Sequence, residues 1–91
     1  MEITYDEAKR LWTLENRGLD FRDVHLITAD VHVDLPDDRK PYPEPRFQTY
    51  GYLGARLVMF AWAETDSGIR VISMRKCNDR EKRKFAQWLG G

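Results

Sequence analysis

Nothing in this chain reads as a device for crossing a membrane, closing a disulfide or cradling a nucleotide. No apolar run approaches the ~20 residues of a membrane helix. The opening stretch, MEITYDEAKR, is polar and acidic, unlike a signal peptide. A single cysteine, Cys77, excludes an internal disulfide framework. These absences together lead to the expectation of a cytoplasmic protein with no membrane contact. Glycine-rich phosphate loops of the GxGxxG or GxxxxGK kind are missing. His25, His32 and Cys77 show no ligand spacing such as CxxC or HExxH, so neither a metal nor a cofactor is expected. Repeats and low-complexity tracts are absent.

Proline is confined to one place. All four prolines fall in PDDRKPYPEP, residues 36–45, which must be a loop and is a candidate functional one. Net charge is also missing, but its balance is uneven. Residues 69–91 carry seven Lys/Arg against two Asp/Glu, and residues 1–68 carry eight against thirteen. A basic end on a neutral protein suggests an anionic partner for that end.

Ninety-one residues suit one domain, residues 1–91, with a single modest core. TYDEAKRLWTLENRG predicts a first helix, with Thr4 and Glu7 at capping-box spacing and Gly18 as its left-handed stop. Ala8, Leu11 and Trp12 recur at helical spacing and are expected to face the core. A second short helix follows, with Asp20 as N-cap and Phe21, Val24 and Ile27 as its apolar stripe. A strand is expected near residues 31–35. After the proline loop, RFQTYGYLGARLVMFAWAE predicts a hairpin turning near Leu53-Gly54. Its second strand, Arg56 to Ala63, is apolar on both faces and belongs at the centre of the sheet. IRVISMRKC is the next strand. Asn78 and Glu81 then open a last helix that Phe85, Trp88 and Leu89 would dock. The expected fold is therefore α+β: two N-terminal helices, a four-stranded antiparallel sheet and a C-terminal helix.

Strict alternation along residues 70–76 places Arg70, Ile72, Met74 and Lys76 on one face, and Val71, Ser73 and Arg75 on the other. Arg75 and Lys76, at the strand's end, form a plausible phosphate cradle of one fork and one compact charge. Lys82, Arg83 and Lys84 read as a solvated helix face. Glu44 and Arg46 flank Pro45 and point to the same side of an extended chain. They read either as a surface ion pair or as a base beside an electrostatic stabiliser. Cys77 precedes a capped helix. It either gains a lowered pKa there or packs at the strand–helix junction.

These residues, in this order, resemble the BrnT family of bacterial type II toxins, relatives in fold of the RelE ribonuclease toxins. The resemblance runs from Tyr5 to about Phe85. It is carried by Tyr5, Asp6 and Lys9; by Gly18 and Phe21; by Glu44, Arg46 and Gly51; by Arg70, Ile72, Ser73, Arg75 and Lys76; and by Glu81 and Phe85. The family usually carries Lys-His-Gly at the end of the first helix, with an asparagine four residues before the histidine. This chain reads Asn16-Arg17-Gly18 and has Thr13.

The resemblance implies a RelE-like fold and a toxin that cleaves RNA without metal and blocks translation. It also implies a BrnA-like ribbon-helix-helix antitoxin, with operator DNA bound only through the toxin–antitoxin complex. Cleavage by the ribose 2′-hydroxyl needs a base, cations for the phosphate and an acid for the leaving oxygen. On that footing Glu44 is the expected base, and Arg46, Arg75 and Lys76 are the catalytic cations. Arg70, Arg17 and Tyr42 are the expected RNA contacts, and the acid is unassigned. The alternative is a degenerate toxin-fold module that binds RNA or an antitoxin without cutting.

Overall fold

The computed structural model describes residues 1–90. Its framework is a five-stranded mixed sheet with helices on both faces. Strand β1 (Glu2–Tyr5) leads into helix α1 (Glu7–Arg17). A 3-10 turn (Phe21–Asp23) runs directly into the short helix α2 (Val24–Thr28). Strands β2 (His32–Pro36), β3 (Arg46–Leu53), β4 (Arg56–Glu64) and β5 (Gly68–Lys76) follow, and helix α3 (Asp79–Leu89) closes the chain. Their order in the sheet is β1-β5-β4-β3-β2.

Four of these strands pair antiparallel, as expected. The expectation of a four-stranded sheet is corrected by β1, which lies parallel to β5 in the register Glu2 to Gly68 and Tyr5 to Val71. Thr4 is therefore a strand residue and not a cap. The cap of α1 is Asp6, whose Oδ1 accepts from the amides of Ala8 and Lys9 at 2.9 and 3.4 Å. A strand of four residues has too little pattern to announce itself, and its partner lies more than sixty positions away.

Strand β4 sits at the centre, and its apolar residues alternate between two cores. Val58 and Phe60 face Leu19, Phe21, Val24 and Ile27, together with Ile69, Val71 and Met74 of β5. Leu57, Met59 and Ala61 face the other way, where Phe85 and Leu89 of α3 dock beside Tyr50 and Cys77. The Phe85 ring stacks on Tyr50 with centroids 4.1 Å apart. Burying a ring of this size stabilises the docked helix by about 2–3 kcal/mol. Trp88, expected to dock with them, is 53% exposed.

Helix α1 also departs from its expected face. Ala8, Leu11 and Trp12 are all exposed, and the buried residues are Arg10 and Thr13. Arg10 can go inward because Glu7 and Asp20 accept its guanidinium protons. A buried charge is tolerated when paired in this way.

One irregularity sets which face each residue of β5 occupies. Between β4 and β5, Ala61 pairs with Ser73 and Trp62 with Val71, which leaves Ile72 without a partner. This β-bulge shifts the phase of the strand. Ile69, Val71, Met74 and Lys76 now share the face of α2, whereas Arg70, Ser73 and Arg75 share the face of α3. The strictly alternating assignment is thus overturned: Arg70 lies with Arg75 and not with Lys76.

The parallel β1–β5 contact depends on Gly68, where an added Cβ would sit 2.0 Å from the Glu2 carbonyl oxygen. Gly68→Ala should force β1 away and cost about 1–3 kcal/mol, the usual range for overpacking. Urea denaturation measures this directly, and an unchanged midpoint would show that the strand pairing is dispensable.

Candidate active site on the open sheet face

Helix α3 covers only part of its sheet face. Beyond it, the ladder places Arg46 of β3 opposite Ala63 of β4, and Ala63 opposite Arg70 of β5. The two arginines therefore flank a small residue, their backbones about 10 Å apart across three strands. Glu44 fills the space between them. Its Oε1 accepts from Arg46 Nε at 3.2 Å and from Arg70 Nη2 at 3.2 Å. The Arg46 guanidinium also lies over the Tyr42 ring, 4.1 Å from its centroid. Tyr42, Glu44, Arg46 and Arg70 thus form one cluster, open to solvent on one side.

The proline loop makes this placement reproducible. Pro43 and Pro45 bracket Glu44, and a following proline holds the residue before it extended. The loop is pinned at its base: Asp37 N donates to the Arg46 carbonyl at 2.8 Å, and Glu64 N to the Pro45 carbonyl at 3.1 Å. Arg39 donates to both oxygens of Asp37 at 2.7 and 2.9 Å. That contact holds the Asp37 carboxyl below its usual range despite burial.

Arg75 shares the sheet face but not the cluster. Five residues of strand separate it from Arg70, about 15 Å. Its Nη1 and Nη2 donate to Glu81 Oε1 and Oε2, both at 2.8 Å. Glu81 also completes the capping box of α3, accepting from Asn78 N at 3.0 Å while Asn78 Oδ1 accepts from Glu81 N at 2.8 Å. The Arg75 fork, opposed by burial and aided by the Asn78 amide, lowers the Glu81 carboxyl from 4.5 to about 2. Arg75 is consequently a tie between β5 and α3 as well as a cation.

Lys76 and Arg17 lie apart from the Glu44 cluster. They line one groove of about 540 Å³ with Asn16, Gly18 and Arg75. Arg17 Nη1 donates to the Met74 carbonyl at 2.9 Å, on the part of β5 that β1 does not reach. The seven residues singled out from the sequence therefore fall into two groups. Tyr42, Glu44, Arg46 and Arg70 come together near the start of β5. Arg17, Arg75 and Lys76 gather near its end.

The structure adds neighbours that had no assigned role. Ala63 is the floor between the arginines. Gln48 pairs with Ala61, and Ala61 with Ser73, which forms the next row of the same face. Ser73 could not be placed without the bulge. Cys77 is buried at the strand–helix junction, and burial pushes its thiol up to about 11. It packs, and is not an activated nucleophile. His25 and His32 each turn Nδ1 to a nearby backbone carbonyl, away from both groups.

A family model, that of the ribonuclease toxin, BrnT, of type II toxin-antitoxin systems, matches residues 5–81. The chain belongs to the BrnT family. The match spans both groups of residues, from the last residue of β1 through the first turn of α3. Family membership makes this a ribonuclease toxin, with RNA as substrate and an antitoxin as partner. No curated protein matches the chain. Among the described residues no helix is long and apolar enough to cross a membrane.

The Glu81 tie gives a pH signature. In the fold Glu81 stays ionised down to about pH 2, whereas unfolded it protonates near 4.5. Its stabilisation is complete above pH 4.5 and is lost as pH falls toward 2. Glu81→Gln should lower the Tm at neutral pH and flatten the decline of Tm across that acid window. An identical acid slope in the variant would mean that Glu81 does not carry it.

Proposed function

We propose that this BrnT protein cleaves RNA without a metal ion, through attack by the ribose 2′-hydroxyl at the Glu44 cluster. The observation that carries the reading is the Glu44 carboxylate held at 3.2 Å from both Arg46 and Arg70 on an open sheet face. Glu44 takes the 2′-hydroxyl proton. The 2′-oxygen bonds to the adjacent phosphorus, and the bond from phosphorus to the 5′-oxygen breaks, the departing oxygen taking its proton from solvent water. Arg46 and Arg70 face the non-bridging oxygens, where charge accumulates. Their charge is already oriented, Arg46 by Tyr42 and both by Glu44, so little reorganisation accompanies the reaction. The face of the Tyr42 ring away from Arg46 offers a flanking base a stacking surface. Arg75 and Lys76 contact phosphates further along the strand.

The remainder of the reading rests on the family alone. The neutralising partner is a BrnA-like ribbon-helix-helix antitoxin, and operator DNA is engaged only by the complex of the two. The toxin acts in the cytoplasm by stopping translation.

A second reading, binding without cutting, draws support from Arg17. This residue stands where the family carries histidine, and its guanidinium is occupied by the Met74 carbonyl at 2.9 Å. A guanidinium does not give up a proton near neutrality, so no acid is evident beside the leaving oxygen.

Purified protein acting on single-stranded RNA in the presence of a chelator separates the two readings. Glu44→Gln should cut the rate by about 10²–10⁴-fold, the usual contribution of a general base, with little change in Tm. Arg17→His should leave the rate unchanged or raise it. An inert wild-type protein that gains cleavage with Arg17→His would establish the second reading. Full activity in a folded Glu44→Gln protein would remove Glu44 from the centre.

A further inference from the structure

Away from the Glu44 cluster, three grooves that share lining residues run from α1 past the end of β5 to the β3–β4 turn. The first, of about 200 Å³, is lined by Lys9, Trp12, Thr13, Arg17, Ile72 and Ser73. It shares Arg17 with the groove that holds Arg75 and Lys76. That groove in turn shares Lys76 with a larger one, of about 810 Å³, that adds Arg56 and Lys82. Six cations line this strip, and none of its described lining residues is a carboxylate. Carboxylates outside the strip pair with two of them: Glu81 with Arg75 at 2.8 Å and Asp79 with Lys82 at 3.7 Å.

Trp12 is the one aromatic at the end of the strip next to the bulge. It is 52% exposed, where hydrophobic periodicity alone would bury it. It is not loose. Arg17 lies over it, 5.2 Å from the ring centroid, and is itself fixed by the Met74 carbonyl. Lys9, Thr13 and Arg17 follow at successive helical turns, so the cations and the indole share one face of α1. The bulge sets Ile72 and Ser73 against that face. A groove of 200 Å³ is below the ~300 Å³ at which drug-sized pockets begin, and suits one planar ring.

We infer that this strip is a track for single-stranded RNA and that Trp12 is its base-stacking platform, with Ser73 and Lys9 at the edge of the stacked base. A positive groove that follows the backbone, joined to an aromatic face that accepts a base, is the general means of holding a single strand. The inference deepens the ribonuclease reading and rests on it for the identity of the nucleic acid. It places a specificity contact on α1, 24 residues before the start of the proline loop. Trp12 would select and hold a base and would touch no reacting atom.

Binding separates this from cleavage. Short 2′-O-methyl RNA lacks the attacking hydroxyl, so its affinity for the wild-type protein is measurable without turnover. Trp12→Ala should weaken binding about tenfold, the order of one base stack, and Trp12→Phe should restore most of it. An oligonucleotide made abasic at one position should bind the wild-type protein equally weakly, and Trp12→Ala should then cost nothing more. Unchanged affinity in Trp12→Ala, or an abasic penalty that persists without Trp12, overturns the inference. So does loss of antitoxin binding in Trp12→Ala with RNA affinity intact, because the groove would then be a protein-docking site. Cleavage of ordinary RNA by the wild-type protein reports on the ribonuclease reading alone. Trp12-dependent binding without any cleavage would retain the track and discard that reading.

Discussion

Ile72 has no partner across the β4–β5 ladder, and the arrangement of charge on this protein follows from that one extra residue. With strict alternation Arg70 would lie under α2 among the apolar residues of the first core. The bulge brings it to the opposite face, in line with Ala63 and Arg46. Only there can Glu44 reach both guanidiniums. The same bulge sets Ser73 beside α1, where it lines the groove of Trp12. A sheet edge is where bulges are tolerated and where they re-aim side chains. Among the described residues no strand pairs with β5 on that side beyond Val71, and Arg17 reaches the Met74 carbonyl there.

The two ends of β5 carry different electrostatic arrangements. At the start, one carboxylate is shared between two partly exposed arginines that still have protons to donate to a phosphate. At the end, Arg75 has both terminal nitrogens on Glu81, and Glu81 in turn anchors the first turn of α3. Replacing Arg75 would therefore loosen the helix as well as remove a cation. Its effect on function cannot be read apart from its effect on folding, which is why Glu44 is the cleaner probe of the proposed chemistry.

Much of this architecture is legible in the residues themselves. Asn78 and Glu81 announce the last helix by spacing alone, and Gly18 adopts the left-handed stop, φ 67°. The apolar run of β4 marks the central strand because both of its faces are buried. What escaped is non-local. The four residues of β1 acquire meaning only beside Gly68. Arg10 displaces Leu11 and Trp12 from the interior because Asp20, ten residues on, accepts its charge. The bulge arises from the mismatch of two strands and leaves no mark in either one. Of the candidate site, the pairing of Glu44 with Arg46 follows from local spacing around Pro45. The arrival of Arg70 and the separation of Arg75 and Lys76 required the sheet.

The exposed indole of Trp12 belongs to the same account. Hydrophobic periodicity alone places it in the core, and the cations around it give that exposure a use. The chemistry at Glu44 is the central claim, and the ends of the cut RNA record it. Attack by the ribose hydroxyl leaves a 2′,3′-cyclic phosphate on one fragment and a free 5′-hydroxyl on the other. Metal-activated water instead leaves phosphate on one side and intact hydroxyls on the 3′ end. Induced expression in bacteria, with growth followed and the termini of fragmented RNA determined chemically, decides between them. The account predicts growth arrest with 5′-hydroxyl and cyclic phosphate termini. Fragments bearing 5′-phosphate and 3′-hydroxyl termini would contradict it.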